Sequence, residues 1–210
     1  MILFDLDGTL WDSSDVVAES WNMLIRKETG EERGLTGADI ARNMGKTMNQ
    51  IADDVFSDLE EDARYALARR CEVFENAYIT EHGATLYDNV RETLAELKAC
   101  GAKLAVVSNC QKDYVKAFLD SMDMWDYFVD YEEWGRSGLL KADNIRLVME
   151  RNGEDKAIYV GDIQRDSDAA HEAGIPCIYA AYGFGDINDA EGRIDSFDEL
   201  PAVLEELGYL

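Results

Sequence analysis

Apolar positions along the chain fall into two kinds of run, and the two kinds are unevenly distributed. Residues 1–4 (Met-Ile-Leu-Phe) are continuously apolar and end in Asp5-Leu6-Asp7-Gly8-Thr9-Leu10. That pattern predicts a buried strand running into a tight glycine turn. From 15 to 29 the apolar residues Val16, Val17, Trp21, Leu24 and Ile25 recur at helical spacing, and Gly30 closes the helix. Thr36-Gly37-Ala38-Asp39 resembles a capping box with Asp in the place of Glu, so a short helix is expected to end near 43–45. Further helices are expected over 47–56 and 60–78. Nothing between 12 and 81 reads as a strand.

After Gly83 the pattern alternates. Helices are expected over 89–100, 112–121, 141–152, 166–173 and 201–207. Strands are expected over 103–108 (KLAVVS), 127–130, 157–161 (AIYVG) and 175–181. Continuous aliphatic runs between helices indicate parallel strands buried on both faces. The fold class is therefore α/β, a Rossmann-like parallel sheet with helices on both sides. One strand precedes the helical block and the rest follow it. The expected organisation is a core of 1–11 and 82–210, with 12–81 inserted as an all-helical cap.

Composition narrows the class. The chain has 210 residues, 47% hydrophobic, with 44 Asp+Glu against 20 Lys+Arg for a formal net charge of -24. This is enough apolar material for a real core, which excludes a disordered acidic tail. The charge argues against nucleic acid and anionic membrane surfaces as partners, since both require a basic face. No run approaches the roughly 20 apolar residues of a membrane span, and Asp5 interrupts any signal-peptide pattern. The four cysteines, Cys71, Cys100, Cys110 and Cys177, form no CxxC pair. They read as reduced thiols of a cytoplasmic protein. Two histidines, His82 and His171, are too few for a multi-histidine zinc site.

Ligands of open parallel sheets bind at the carboxyl ends of the strands. The polar residues expected there are Asp5, Asp7, Ser108, Asn109, Asp162 and Asp166. Carboxylates crowded at low dielectric repel unless a cation sits among them. Oxygen-only ligands favour a hard ion such as Mg²⁺. Lys141, at the head of a helix, offers a second positive charge.

These residues carry a resemblance. Asp5-Leu6-Asp7-Gly8-Thr9-Leu10 resembles the first motif of the haloacid dehalogenase-like superfamily, DxDGTL. Val106-Val107-Ser108-Asn109 resembles the second, Lys141 the third, and Val160-Gly161-Asp162-Ile163-Gln164-Arg165-Asp166 the fourth, GDxxxD. The order is the family's, the likeness covers nearly the whole chain, and the tail from Tyr182 to Phe197 is similar to the phosphoglycolate-phosphatase-like branch. Ala142 stands where that branch has proline, Ile163 replaces a common Ser/Thr, and Asp88-Asn89 replaces Pro-Gly. None of these departures removes a charge.

The resemblance implies an Mg²⁺-dependent phosphatase of a small phosphorylated metabolite, a phosphoglycolate-like monoester. In that scheme Asp5 is the nucleophile and Asp7 the general acid and base. Ser108 hydrogen-bonds a transferring oxygen, and Lys141 neutralises charge. Mg²⁺ would be held by Asp5, the Asp7 carbonyl and Asp162, with Asp166 direct or through water. Gly45 and Lys46 lie where the family's cap loop reaches the site, and Asn109 adjoins Ser108; these three are candidate substrate contacts. The close alternative is a sugar-phosphate phosphomutase; a metal-independent dehalogenase or a non-catalytic regulator is more distant. Gly45-Lys46-Thr47 is no P-loop, because Ile40 occupies the position of its first glycine. Gly183-Phe184-Gly185 lacks the third glycine of a dinucleotide fingerprint. Trp11 and Trp21 are candidates for the cleft wall, with core packing the expected place of Trp21. His82 is expected in the return loop and His171 on an exposed helix face.

Overall fold

The computed structural model describes all 210 residues. In chain order the elements are β1 (Ile2–Phe4), β2 (Trp11–Asp12), α1 (Ser14–Thr29), α2 (Gly37–Ala41), α3 (Met48–Val55), α4 (Glu61–His82) and β3 (Thr85–Leu86). There follow α5 (Val90–Ala99), β4 (Leu104–Ser108), α6 (Tyr114–Ser121), β5 (Asp130–Glu133), α7 (Trp134–Ser137) and α8 (Lys141–Asn152). The chain ends with β6 (Ile158–Gly161), α9 (Gln164–Ala173), β7 (Cys177–Ala180), β8 (Gly192–Ile194), a 3-10 turn at Phe197–Glu199 and α10 (Leu200–Glu206).

Six strands form one parallel sheet in the order β5-β4-β1-β6-β7-β8. The register places Phe4 beside Val106 of β4 and Val160 of β6. The first strand is thus flanked on both sides, and the strand order reverses around it. Ligand crevices of such sheets open at this switch point. Asp5, Ser108 and Asp162 each lie one or two residues beyond that matched row, so the register alone brings them to one edge.

The side chains alternate as strands require. Leu3, Ala105, Val107, Tyr159 and Cys177 pack with Ala142, Ile145 and Val148 of α8 and Ala169 and Ala170 of α9 on one face. Ile2, Phe4, Val106, Ile158 and Val160 pack on the other with α5, α6 and α10. This second core continues without a break into the inserted helices through Trp11, Val17, Trp21, Ile40, Phe56 and Ile79.

Some details depart from the sequence reading. The edge strand lies at Asp130–Glu133, not at 127–130. Phe128 instead packs on Phe4 and Phe118. The strand carries acids because each has a partner: Glu132 pairs with Arg151, and Glu133 accepts from the amides of Asp113 and Val115 at the head of α6. Three strands were too short for periodicity to reveal: β8, and β2 with β3, which pair antiparallel where the chain leaves and re-enters the core. Asp12, counted in the helical block, therefore lies in a strand. His82 is the last residue of α4, not part of the following loop. His171 is exposed on α9, as expected.

Candidate active site

Asp5 follows β1 directly, and its amide donates to the Val160 carbonyl (2.9 Å), so sheet pairing fixes its position. Its carboxylate is buried and meets the Lys141 ammonium at 2.9 Å. The same ammonium donates to Asp166 Oδ1 at 2.6 Å and lies 5.5 Å from the centre of the Tyr159 ring. Lys141 is the first residue of α8, and only 3% exposed, so little solvent screens this triad. Burial pushes the Asp5 carboxyl up to about 6, against the pull of Lys141. Burial also disfavours the Lys141 charge, but Asp166 and Asp5 together outweigh it and hold its pKa above the usual lysine value.

Asp162 leaves the end of β6 and Asp166 stands in the first turn of α9. Asp166 Oδ2 accepts from the amides of Asp162 (3.0 Å) and Ile163 (3.2 Å), so both its oxygens are engaged. Asp162 Oδ2 accepts from the Phe184 amide at 2.8 Å, whereas its buried Oδ1 has no partner. Oxygens of Asp5, Asp162 and Asp166 all lie within 4.8 Å of one another. Burial, then Asp166 and Asp5, push the Asp162 carboxyl well above its ordinary range. An unpaired buried carboxylate oxygen in an oxygen-only cluster is costly without a cation and fits a hard divalent ion. Two glycines let the loops close on Asp162. A Cβ on Gly8 (φ +84) would stand 2.1 Å from Asp162 Oδ2, and one on Gly183 would stand 2.3 Å from both Asp162 Cβ and the Gly8 carbonyl oxygen.

Asp7 is directed elsewhere. Its Oδ1 accepts from Ser13 Oγ (2.6 Å), Trp11 Nε1 (2.8 Å) and Tyr114 OH (3.0 Å). Burial pushes this carboxyl up to about 7, with Ser13 the strongest opposing influence. A side chain held this way suits proton transfer at neutral pH. The Asp7 carboxylate is not among those whose oxygens lie within 4.8 Å of one another, which are Asp5, Asp162 and Asp166.

Asp5, Asp7, Ser108 and Asn109 line one end of a cleft whose opposite wall comes from the inserted helices: Val17, Trp21, Ile40, Asn43–Lys46, Met48, Ile51 and Glu75. Only about 50 Å³ of it is open to a water-sized sphere, so it has room for a few atoms as it stands. Gly45 (φ +75) sits over the core where a Cβ would lie 2.2 Å from Ile163 Cδ1, and its carbonyl accepts from Asn109 Nδ2 at 3.5 Å. Lys46 lines the cleft, but its ammonium is held by Asp54 (2.6 Å) and Asn43 (2.8 Å). Trp11 is in the core and grips Asp7; Trp21 is both packed, stacked on Phe56, and part of the cleft. The structure thus gathers Asp5, Asp162, Asp166 and Lys141 in one cluster, with Asp7, Ser108 and Asn109 beside it. Ser13, Tyr114, Glu75 and Gln111 were not anticipated, since no motif surrounds them.

Residues 2–180 match the model of the haloacid dehalogenase-like hydrolases. The phosphoglycolate phosphatase of Escherichia coli O157:H7 is 31% identical, over 87% of this chain and 81% of its own. That of Salmonella typhimurium is 29% identical, over 97% of this chain and 91% of its own. A crystal structure described as a predicted phosphoglycolate phosphatase from Haemophilus somnus superposes with a TM-score of 0.84 at 25% identity, covering 97% of this chain and 96% of that one. The chain belongs to the haloacid dehalogenase-like hydrolases, on their phosphoglycolate-phosphatase-like branch.

Proposed function

We propose that this phosphatase hydrolyses a small phosphate monoester in two in-line steps through an aspartyl-phosphate on Asp5, with Mg²⁺ as its metal. The observation that carries the reading is the buried carboxylate cluster, which combines one lysine, one unpaired carboxylate oxygen and a separately held proton carrier. Asp5, Asp162 and the Asp7 carbonyl would hold Mg²⁺, with Asp166 direct or through water. When bound, the ion neutralises the phosphoryl oxygens and lets a dianion approach a carboxylate.

The chain's own residues do the rest. An Asp5 oxygen attacks phosphorus as the bond to the leaving alcohol breaks. Asp7, protonated near neutrality, gives its proton to the departing oxygen. Water then attacks the phosphoryl group, Asp7 takes the water proton back, and Asp5 leaves with inorganic phosphate released. Ser108 and Lys141 steady the transferring oxygens throughout. Residues 12–81 act as the cap that closes over this chemistry and keeps bulk water out. Phosphoglycolate, the substrate in the relatives' names, is the first compound to assay. Magnesium-dependent phosphate release from p-nitrophenyl phosphate and a metabolite panel tests the reading. Loss of that release in Asp5→Asn supports it, and no release from any compound by the intact protein would overturn it.

A further inference from the structure

The cleft wall opposite the carboxylates contains an acid that the chemistry above does not use. Glu75, in the middle of α4, is 3% exposed. Its Oε2 accepts from Trp21 Nε1 on α1 and its Oε1 from Gln111 Nε2 (2.8 Å), in the loop before α6. No lysine, arginine or histidine lies within ion-pair reach of it. Its other charged or titratable neighbours are acids, a thiol and a phenol: Glu72 and Cys71 on its own helix, Asp7 beyond β1 and Tyr114 on α6. The ammonium of Lys46, elsewhere on this wall, is already shared between Asp54 and Asn43.

A buried carboxyl held only by neutral donors is expensive, and each oxygen keeps a lone pair to offer. Burial pushes Glu75 up to about 8, which is what a carboxyl lacking a cation should show. The rest of that wall is mostly apolar, with Val17, Ile40, Met44, Met48 and Ile51, and its one cation, Lys46, is already paired with Asp54.

The geometry points to Glu75 as the residue that selects the leaving group: the ester's alcohol carries a hydrogen-bond donor, a hydroxyl or an ammonium, and no carboxylate. This rests on the phosphatase reading and sets its substrate class apart from the compound for which the relatives are named. A donor of that kind completes the lone pairs of Glu75. A carboxylate in the same place meets a like charge when Glu75 is ionised; when Glu75 is protonated the two acids share a proton and still leave a negative charge buried with no unpaired cation beside it.

Three two-carbon esters differing only at the far end decide it: 2-aminoethyl phosphate, 2-hydroxyethyl phosphate and phosphoglycolate. The expected kcat/KM with Mg²⁺ is about tenfold or more higher for the first two than for phosphoglycolate. Calorimetric binding of the same three to the Asp5→Asn protein should give the same order without turnover. Glu75→Gln, which keeps the size but adds N–H donors, should reduce the preference about tenfold. Phosphoglycolate favoured in binding, binding of none of the three, or an unchanged preference in folded Glu75→Gln overturns the inference. If Glu75→Gln does not fold, the order measured on the wild-type and Asp5→Asn proteins decides. If nothing is hydrolysed but the binding order holds, the phosphatase reading fails and the selectivity stands.

Discussion

Asp7 and Asp5 are two residues apart and held in opposite ways, one by neutral donors and the other by an ammonium. Because hydrogen-bond donors favour the carboxylate, removing the strongest of them from Asp7 must raise its pKa. Ser13→Ala should therefore move the alkaline decline of kcat/KM upward, by about one pH unit; a pH–rate profile shifted downward would contradict this. The glycines around Asp162 set a second expectation. Gly183→Ala forces a methyl onto Asp162 and should raise the Mg²⁺ concentration for half-maximal activity about tenfold or more, read by metal titration. At this scale the cluster of Asp5, Asp162, Asp166 and Lys141 was legible because parallel strands confine chemistry to their carboxyl ends. Ser13 and Tyr114 were not, because the bond from Tyr114 to Asp7 spans 107 residues and no local pattern records it.

Long helices and the aliphatic strands could be read from periodicity because burial on one face or two leaves a clear trace. The capping box at Thr36 is also present: its hydroxyl accepts from the Asp39 amide (3.3 Å), and the Asp39 carboxylate accepts from the Thr36 amide (2.9 Å). Thr36→Ala should cost about 1 kcal/mol of stability, measured by urea unfolding. No loss would mean α2 is held by packing alone. The edge strand was misplaced by its own chemistry. Tyr127, Phe128 and Val129 look more like a strand than Asp130-Tyr131-Glu132-Glu133, yet the acids can sit in the sheet because Arg151 and the head of α6 satisfy them. Propensity describes one residue at a time and cannot see a partner supplied from elsewhere.

Across the whole molecule the acidity is shared. Residues 12–81 hold 16 acids and 8 bases, and the remaining 140 residues hold 28 and 12. Both parts are net acidic, so a phosphate ester approaches a protein of like overall charge and is received by local charge. Raising ionic strength from low to moderate, at fixed free Mg²⁺, should increase kcat/KM by screening that repulsion. A steady fall over that range would show attraction instead. Composition displayed this charge at once but said nothing of where it matters, since only a handful of the 44 acids reach the cleft.

The short ribbon formed by Trp11–Asp12 and Thr85–Leu86 has a consequence for how such a protein can be altered. Asp12 and Thr85 face each other across one strand spacing, about 5 Å. Everything between them begins and ends at a single doorway in the core. A change in the length of that segment therefore re-routes no strand of the sheet, although its helices share the sheet's core through Trp11, Val17 and Trp21. On the function proposed above, Glu75 lies within that segment and the nucleophile Asp5 outside it, so leaving-group selection and reaction stand on opposite sides of the doorway.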